Sequence, residues 1–336
     1  MSNDILLAKP ILPSDFIDCS VGEPYLIRDN LSSLFPLNSF GKSFSNKELE
    51  YQRPNGFKQL VDFLEEKHQA PVIICNGAKQ AVGSLLYAIK KNGGKSIGLR
   101  IPYWALFKPL IEMHGLNQTE HIDHSDSYLL VHPNNPDGFC YDNHTIDYYS
   151  NVCTQTKKPL IHDGAYYSHV YLPRNFELKP IGDVQVFTFS KLFGLSGLRI
   201  GYSVFHNTNL YKWVMEYMEH MTVGVSSIAQ MFAYDLVTAM HHSPDDARHF
   251  EDKSYWDLYK NKQIASHINP KIIDTHNIIP THGMFLWTRC YNLEAFKNAK
   301  INIIDGTAFG APGFIRMNLA LHEEQMIEVV NRLNKG

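Results

Sequence analysis

Thr188-Phe189-Ser190-Lys191-Leu192-Phe193-Gly194-Leu195-Ser196-Gly197-Leu198-Arg199-Ile200-Gly201 is the stretch from which the rest of the chain is read. It sets one lysine among small and apolar residues, with hydroxyls just before it at Thr188 and Ser190 and a guanidinium downstream at Arg199. A lysine that forms a Schiff base must lose its proton near neutral pH, and a cationic neighbour helps to lower its pKa. The arginine and the two hydroxyls can hold a phosphate by charge-assisted hydrogen bonds. The apolar runs on either side, 184–189 and 199–204, read as strands, so the lysine is expected just beyond a strand end.

Working outward, the chain of 336 residues is long enough for a large core and for division into one big and one small domain. Its 44% hydrophobic and 19% charged residues describe an ordinary soluble globular protein. A formal net charge of -3 supplies no basic field for nucleic acid and no polybasic patch for an anionic membrane. The cysteines Cys19, Cys75, Cys140, Cys153 and Cys290 are odd in number and scattered, without a CxxC pair. That speaks against a disulfide framework or a zinc site and fits a reducing cytoplasm. Residues 1–16 contain Asp4, Lys9, Pro10 and Pro13 and lack an apolar h-region, so no secretory signal is evident. No apolar run reaches the length of a membrane span. The 17 histidines show no HExxH or other ligand spacing.

Alternation of strand and helix runs through the first two thirds. Phe57, Leu60, Val61 and Leu64 recur at helical spacing and predict a helix over 56–68. The apolar run 72–75 predicts a buried strand entering a turn at Asn76-Gly77 and a helix over 78–91. Strands are then expected at 96–101, 128–131 and 159–162, with helices at 104–113 and 145–156. Short apolar strands separated by helices imply a mostly parallel sheet covered on both faces, with ligands at the carboxyl ends of its strands. From 210 to about 268 the pattern is helical, with a polar break at 241–246. Strands at 284–287, 301–304 and 314–319 and a helix over 323–333 make a smaller α/β unit. The expected division is an N-terminal segment 1–45 serving the small domain and the active site, a large domain 46–235 and a small domain 236–336.

The lysine stretch resembles the lysine segment of the class I/II aminotransferases, pyridoxal 5'-phosphate (PLP) enzymes of the aspartate-aminotransferase fold (fold type I). The resemblance extends in family order from about residue 20 to residue 335. It implies that Lys191 carries PLP as a Schiff base and later acts as general base. PLP chemistry also needs a carboxylate at the pyridine nitrogen, donors for the phenolic oxygen, a phosphate cup and a stacking partner. Ile161-His162-Asp163-Gly164-Ala165-Tyr166 resembles the family's D-x-x-Y segment, which implies Asp163 at the ring nitrogen and Tyr166 at the phenolic oxygen. His132-Pro133-Asn134-Asn135-Pro136-Asp137-Gly138 resembles N-P-x-N-P-x-G and offers Asn135 to the same oxygen; His132 and Asp137 depart from the family's Asn and Thr. The turn Asn76-Gly77-Ala78-Lys79-Gln80 looks like the phosphate loop. Gly77 shapes the turn, amides of Ala78 and Lys79 act as donors at a helix start, and Thr188, Ser190 and Arg199 complete the cup. Trp104 is the stacking candidate, with Tyr103 as the near alternative.

Two further segments point to substrate. Val21-Gly22-Glu23-Pro24 resembles the family's G-E-P turn, placing the Gly22 backbone beside a substrate carboxylate. Gly313-Phe314-Ile315-Arg316-Met317-Asn318 resembles the strand whose arginine binds that carboxylate, a task suited to a planar fork of N–H donors. Tyr51 stands where family members send a tyrosine to the phosphate of the neighbouring subunit, which implies a homodimer with shared sites. The reading is an aminotransferase acting between an α-amino acid, or a close amino analogue, and a 2-oxo acid. A PLP lyase, decarboxylase or cyclising synthase uses the same residues and stays open, as does a non-catalytic PLP-binding regulator. The substrate side chain is not assigned; Arg28, Arg53 and Arg289 are candidates for a second carboxylate contact without a motif.

Overall fold

The computed structural model describes residues 12–42, 49–276, 278 and 282–335. The start of the N-terminal segment, the expected boundary at 45/46 and residue 336 lie outside the described residues. In chain order the strands are β1 (Ile17–Asp18), β2 (Val72–Cys75), β3 (Ser96–Gly98), β4 (Asn117–Thr119), β5 (Ser127–Val131), β6 (Leu160–Asp163), β7 (Val184–Thr188), β8 (Gly201–Phe205), β9 (Phe285–Arg289), β10 (Ile301–Asn302), β11 (Ile304–Asp305) and β12 (Phe314–Asn318). The helices are α1 (Tyr25–Leu34), α2 (Lys58–His68), α3 (Gly77–Lys91), α4 (Phe107–Met113), α5 (Asn143–Thr156), α6 (Phe189–Leu192), α7 (Tyr211–Met221), α8 (Ser227–His242), α9 (Pro244–Ala265), α10 (Leu293–Asn298) and α11 (Glu323–Lys335).

A seven-stranded sheet runs in the order β2-β8-β7-β6-β5-β3-β4. Pairings among β4, β3, β5, β6 and β7 are parallel, and β8 lies antiparallel between β7 and β2. Strands β2, β5, β6, β7 and β8 are buried on both faces. Val72 and Ile74 pack with α2 and α8 residues, whereas Ile73 and Cys75 pack with α3 and α7 residues on the other side. Double-sided burial is why these strands read as continuous apolar runs. β2 and β7 point the same way because each is antiparallel to β8. The ends of β2, β5, β6 and β7 and the start of β8 therefore share one edge.

A second, antiparallel sheet has the order β11-β12-β9, and β1 pairs with β10 in parallel. Ile315 and Met317 of β12 share a buried core with Cys19, Ile268 and Phe296. The N-terminal segment is tied to β12. Asn318 N–H donates to the Cys19 carbonyl at 2.7 Å, and the Asn318 amide donates to the carbonyls of Val21 and Glu23 at 3.0 and 2.8 Å. Residues 20–23 are thereby hung over the sheet edge beside Arg316.

Several expected elements change shape for local reasons. The strand predicted from 199 starts at Gly201, because Arg199 has a left-handed backbone with φ 56°. The run 301–304 splits into β10 and β11, which pair with different strands on either side of Ile303. The run 96–101 leaves the sheet after Gly98, and its continuation carries Trp104 to the helix start at Phe107. Among the described residues, no helix is long and apolar enough to cross a membrane and no group of metal-ligating side chains occurs. All five cysteines are free thiols.

Candidate active site

The sheet edge opens into a cavity of about 410 Å³. Gly22, Ala78, Lys79, Trp104, Asn135, Asp163, Tyr166, Thr188, Ser190, Lys191, Arg199 and Arg316 all line it. Gly77 is not in the lining but adjoins it, next to Ala78 and against Arg199, while Tyr51 is 90% exposed and does not line the cavity of its own chain. Tyr103 also stays outside the lining, as do Arg28, Arg53 and Arg289.

Lys191 sits in α6, a single turn that starts where β7 ends; Thr188 caps that turn by accepting from the Ser190 N–H. The Lys191 Nζ donates to the Gly22 carbonyl. Burial lowers the lysine to about 8; Glu23 opposes that fall, and Arg316 and Arg199 add to it. A substituent on Gly22 would meet Phe285 at 3.0 Å and the Lys191 Nζ at 3.3 Å, so glycine keeps this approach open.

Asp163 closes β6 and is 7% exposed. Its carboxylate accepts the Ala165 N–H at 3.0 Å, and burial raises it to about 6. Beneath it, His162 is locked as a neutral ring. His162 Nε2 donates to the His132 carbonyl at 3.1 Å and Nδ1 accepts from Gln185 at 2.9 Å, while burial lowers its pKa to about 3. Tyr166 follows Asp163 by one turn of chain; burial pushes its phenol up, with Arg316 and a hydrogen bond to Asn135 acting the other way.

The departures in the loop after β5 are each answered by a contact. His132 Nδ1 accepts the Tyr141 N–H at 3.1 Å. Asp137 accepts from Asn134 at 2.7 Å and from the Phe139 N–H at 3.1 Å, and pairs with Arg100 at 2.8 Å. Asn135 stays in the cavity wall, where its Oδ1 accepts from Arg316 Nη1 at 3.1 Å, leaving its amide N–H groups to donate.

Arg316 is buried and held flat. Its Nη2 donates to the Ser20 carbonyl at 2.8 Å, its Nε has no hydrogen-bond partner among the described residues, and the guanidinium lies 4.1 Å from the Phe285 ring centre and 5.1 Å from that of Phe309. A guanidinium has five N–H donors, so donors remain for a bidentate anion. Next to the lining residue Ala78, Gly77 has φ 76°, and a Cβ there would lie 2.6 Å from Arg199 Nη2. Glycine thus lets the guanidinium reach the start of α3, where free backbone N–H groups attract an anion. Arg199 Nη1 also reaches Ser190 Oγ at 3.4 Å.

Sequence reasoning did not single out the side chain of Glu23, which both meets Ser196 and lines the cavity, nor the aromatic rings around Arg316. Glu23 and Ser196 stand inside quoted motifs, but their meeting is a long-range event that neither motif signals.

The family model described as "Aminotransferase class I and II" matches residues 36–333. A probable aspartate/prephenate aminotransferase of Aquifex aeolicus is 23% identical over 319 residues, spanning 83% of this chain and 79% of that protein. An aspartate aminotransferase of Thermotoga maritima is 22% identical, over 95% of this chain and 90% of its own. Among solved structures, the aspartate aminotransferase of Thermus thermophilus with maleate superposes with a TM-score of 0.76 at 18% identity, covering 96% of this chain and 91% of the other. The fold is that of the aspartate aminotransferases, and the chain belongs to the class I and II aminotransferase family.

Proposed function

We propose that the cavity holds pyridoxal 5'-phosphate and moves an amino group between an α-amino acid, or a close amino analogue, and a 2-oxo acid. The observation that carries this reading is the convergence of Lys191, Asp163 and Arg316, from three separate elements, in one cavity. The residues fit the cofactor: a buried carboxylate with no salt-bridge partner among the described residues, an amine whose hydrogen bond goes to the Gly22 backbone carbonyl, and an anion cup at the start of α3. Bound there, PLP supplies an aldehyde carbon and an electron-accepting ring. Lys191 is the residue to hold the aldehyde carbon, with Asp163 at the ring nitrogen, Tyr166 and Asn135 at the phenolic oxygen, and Trp104 against the ring. Ala78, Lys79, Thr188, Ser190 and Arg199 hold the phosphate.

Arg316 orients the substrate carboxylate through its unused N–H donors, beside the Gly22 backbone. This would fix the amino acid's Cα within reach of the Lys191 amine, which would take the Cα proton and pass it to the cofactor's aldehyde carbon, with the reverse transfer when the 2-oxo acid enters. A lysine near 8 suits both directions, since a catalytic pKa close to the working pH allows the group to accept and to give. The five free thiols support a reducing, cytoplasmic setting.

Incubating PLP-loaded enzyme with a panel of amino donors tests the proposal. Loss of the bound chromophore with formation of a 2-oxo acid is the expected result, followed by mass spectrometry. Release of ammonia or carbon dioxide instead would identify a lyase or decarboxylase and overturn it.

We also propose a homodimer that completes the phosphate side. A groove of about 590 Å³ lies beyond Arg199, lined by Phe40, Leu198, Ile228 and Phe232, with Met221 62%, Val223 45% and Ile228 48% exposed around it. Exposed apolar surface of this kind marks an association site. In such a dimer Tyr51 of the second copy would reach the cup, as the family resemblance implies. Light scattering is expected to give twice the chain mass of 38.5 kDa, and a fully active monomer would sink the idea.

A further inference from the structure

Resting on the cofactor reading above, we propose that Glu23, clamped by Ser196, is the positioning residue that gives Lys191 its counter-charge and sets when that amine carries its proton. Both carboxylate oxygens of Glu23 lie close to Ser196 Oγ, at 2.9 and 2.7 Å. One hydroxyl proton cannot satisfy a carboxylate with about four acceptor sites, so Glu23 keeps most of its acceptor capacity. Its backbone is fixed as well, because Asn318 donates to the Glu23 carbonyl at 2.8 Å. The neighbouring carbonyl, that of Gly22, is the one Lys191 touches.

The remaining groups around Lys191 explain why a dedicated anion is needed. Arg316 from β12 and Arg199 from the turn before β8 both press against a charged lysine, and Lys79 in the first turn of α3 is a third cation in the wall. Asp163 and Tyr166, from the end of β6, are the other titratable groups of the cavity. Asp163 is committed to the ring nitrogen in the proposed site. Glu23 is the carboxylate left to face the lysine, and it works in the direction of keeping the proton. Burial and the cations work against it, which leaves the amine poised between its two states. Ser196 makes this poise geometric, since its hydroxyl anchors the Glu23 carboxylate in the cavity wall.

The test is a pH titration of the bound chromophore in PLP-loaded protein without substrate. Removing the negative charge disfavours the protonated form. Glu23→Gln, which can still accept from Ser196, is therefore expected to move the midpoint down by about one pH unit. Glu23→Asp restores most of the shift, and Ser196→Ala moves the midpoint the same way by less. A purely structural role would lower the melting temperature without moving the midpoint. A chromophore whose midpoint is unchanged or higher in Glu23→Gln overturns the proposal. Absence of any chromophore in the unaltered protein overturns the cofactor reading instead. The role of Glu23 is then read from the Lys191 titration in isotope-labelled protein by NMR, where the same downward shift is expected and its absence is decisive.

Discussion

Lys191→Ala is expected to abolish the bound chromophore and to reduce amino transfer by at least roughly 10²–10⁴-fold, the usual scale of a lost proton transfer. The same change is expected to leave the cofactor-free protein as stable as before, or more so. Among the described residues the Lys191 side chain makes one hydrogen bond, to the Gly22 carbonyl, and its charged form is disfavoured where it sits. The sign follows from a lysine lowered in the folded state to about 8 from 10.5. The folded protein binds fewer protons than the unfolded chain between those values, so stability is lost as pH falls through that window and the cost is complete below about 8. Alanine removes that cost, and the Tyr171 contact is spared because it goes to the Lys191 backbone carbonyl at 2.7 Å. Steady-state transfer assays paired with melting curves of the cofactor-free proteins check both halves. A Lys191→Ala protein that retains transfer and chromophore would show that another amine does the work. One that melts much earlier at neutral pH would show that the lysine is structural.

Much of the site was legible because its residues end short strands or open tight turns, and both leave local marks. Asp163 and Lys191 follow buried apolar runs, and Arg316 lies inside one. Asn135 stands in a Pro- and Gly-bounded turn. What escaped depends on contacts made across the chain. Helix α1 was not anticipated because its buried face includes Asn30, a polar residue that is tolerable there because it donates to Asp257 at 2.9 Å and to Ser254 at 3.4 Å. The antiparallel direction of β8 is equally silent, since a strand buried on both faces has the same composition either way. Arg199 has a backbone conformation that few non-glycine residues adopt, and its neighbours in sequence give no warning. The Phe285–Arg316–Phe309 stack joins β9, β12 and the turn between β11 and β12, so it exists only once the second sheet has formed.

That dependence on tertiary context is sharpest at Asp163, where one substitution is expected to act in opposite directions with and without the cofactor. In the cofactor-free protein the carboxylate is raised from 3.8 to about 6, chiefly by burial, with the Ala165 N–H as its hydrogen-bond partner among the described residues. An acid raised on folding binds more protons in the folded state than in the unfolded one between those two values. Stability therefore falls as pH rises through that window, and the full cost stands above about 6. At about 1.4 kcal/mol per pKa unit the cost is on the order of 2–3 kcal/mol. Asp163→Asn keeps an acceptor for the Ala165 N–H and cannot ionise, so this protein is expected to be more stable than the original at pH 8 and equal to it near pH 4. Adding PLP reverses the order. The ionised carboxylate then gains a cationic ring nitrogen, and truncating one partner of a buried charge pair costs about 2–5 kcal/mol, or about 30-fold and upward in affinity. Melting curves at the two pH values, with and without PLP, read all four states. An asparagine protein less stable than the original at pH 8 without cofactor would refute the burial argument, whereas equal PLP affinity in both would remove Asp163 from the ring nitrogen. The crossing is the stronger result, because a residue that only supports the fold has no reason to change sign when the cavity is filled.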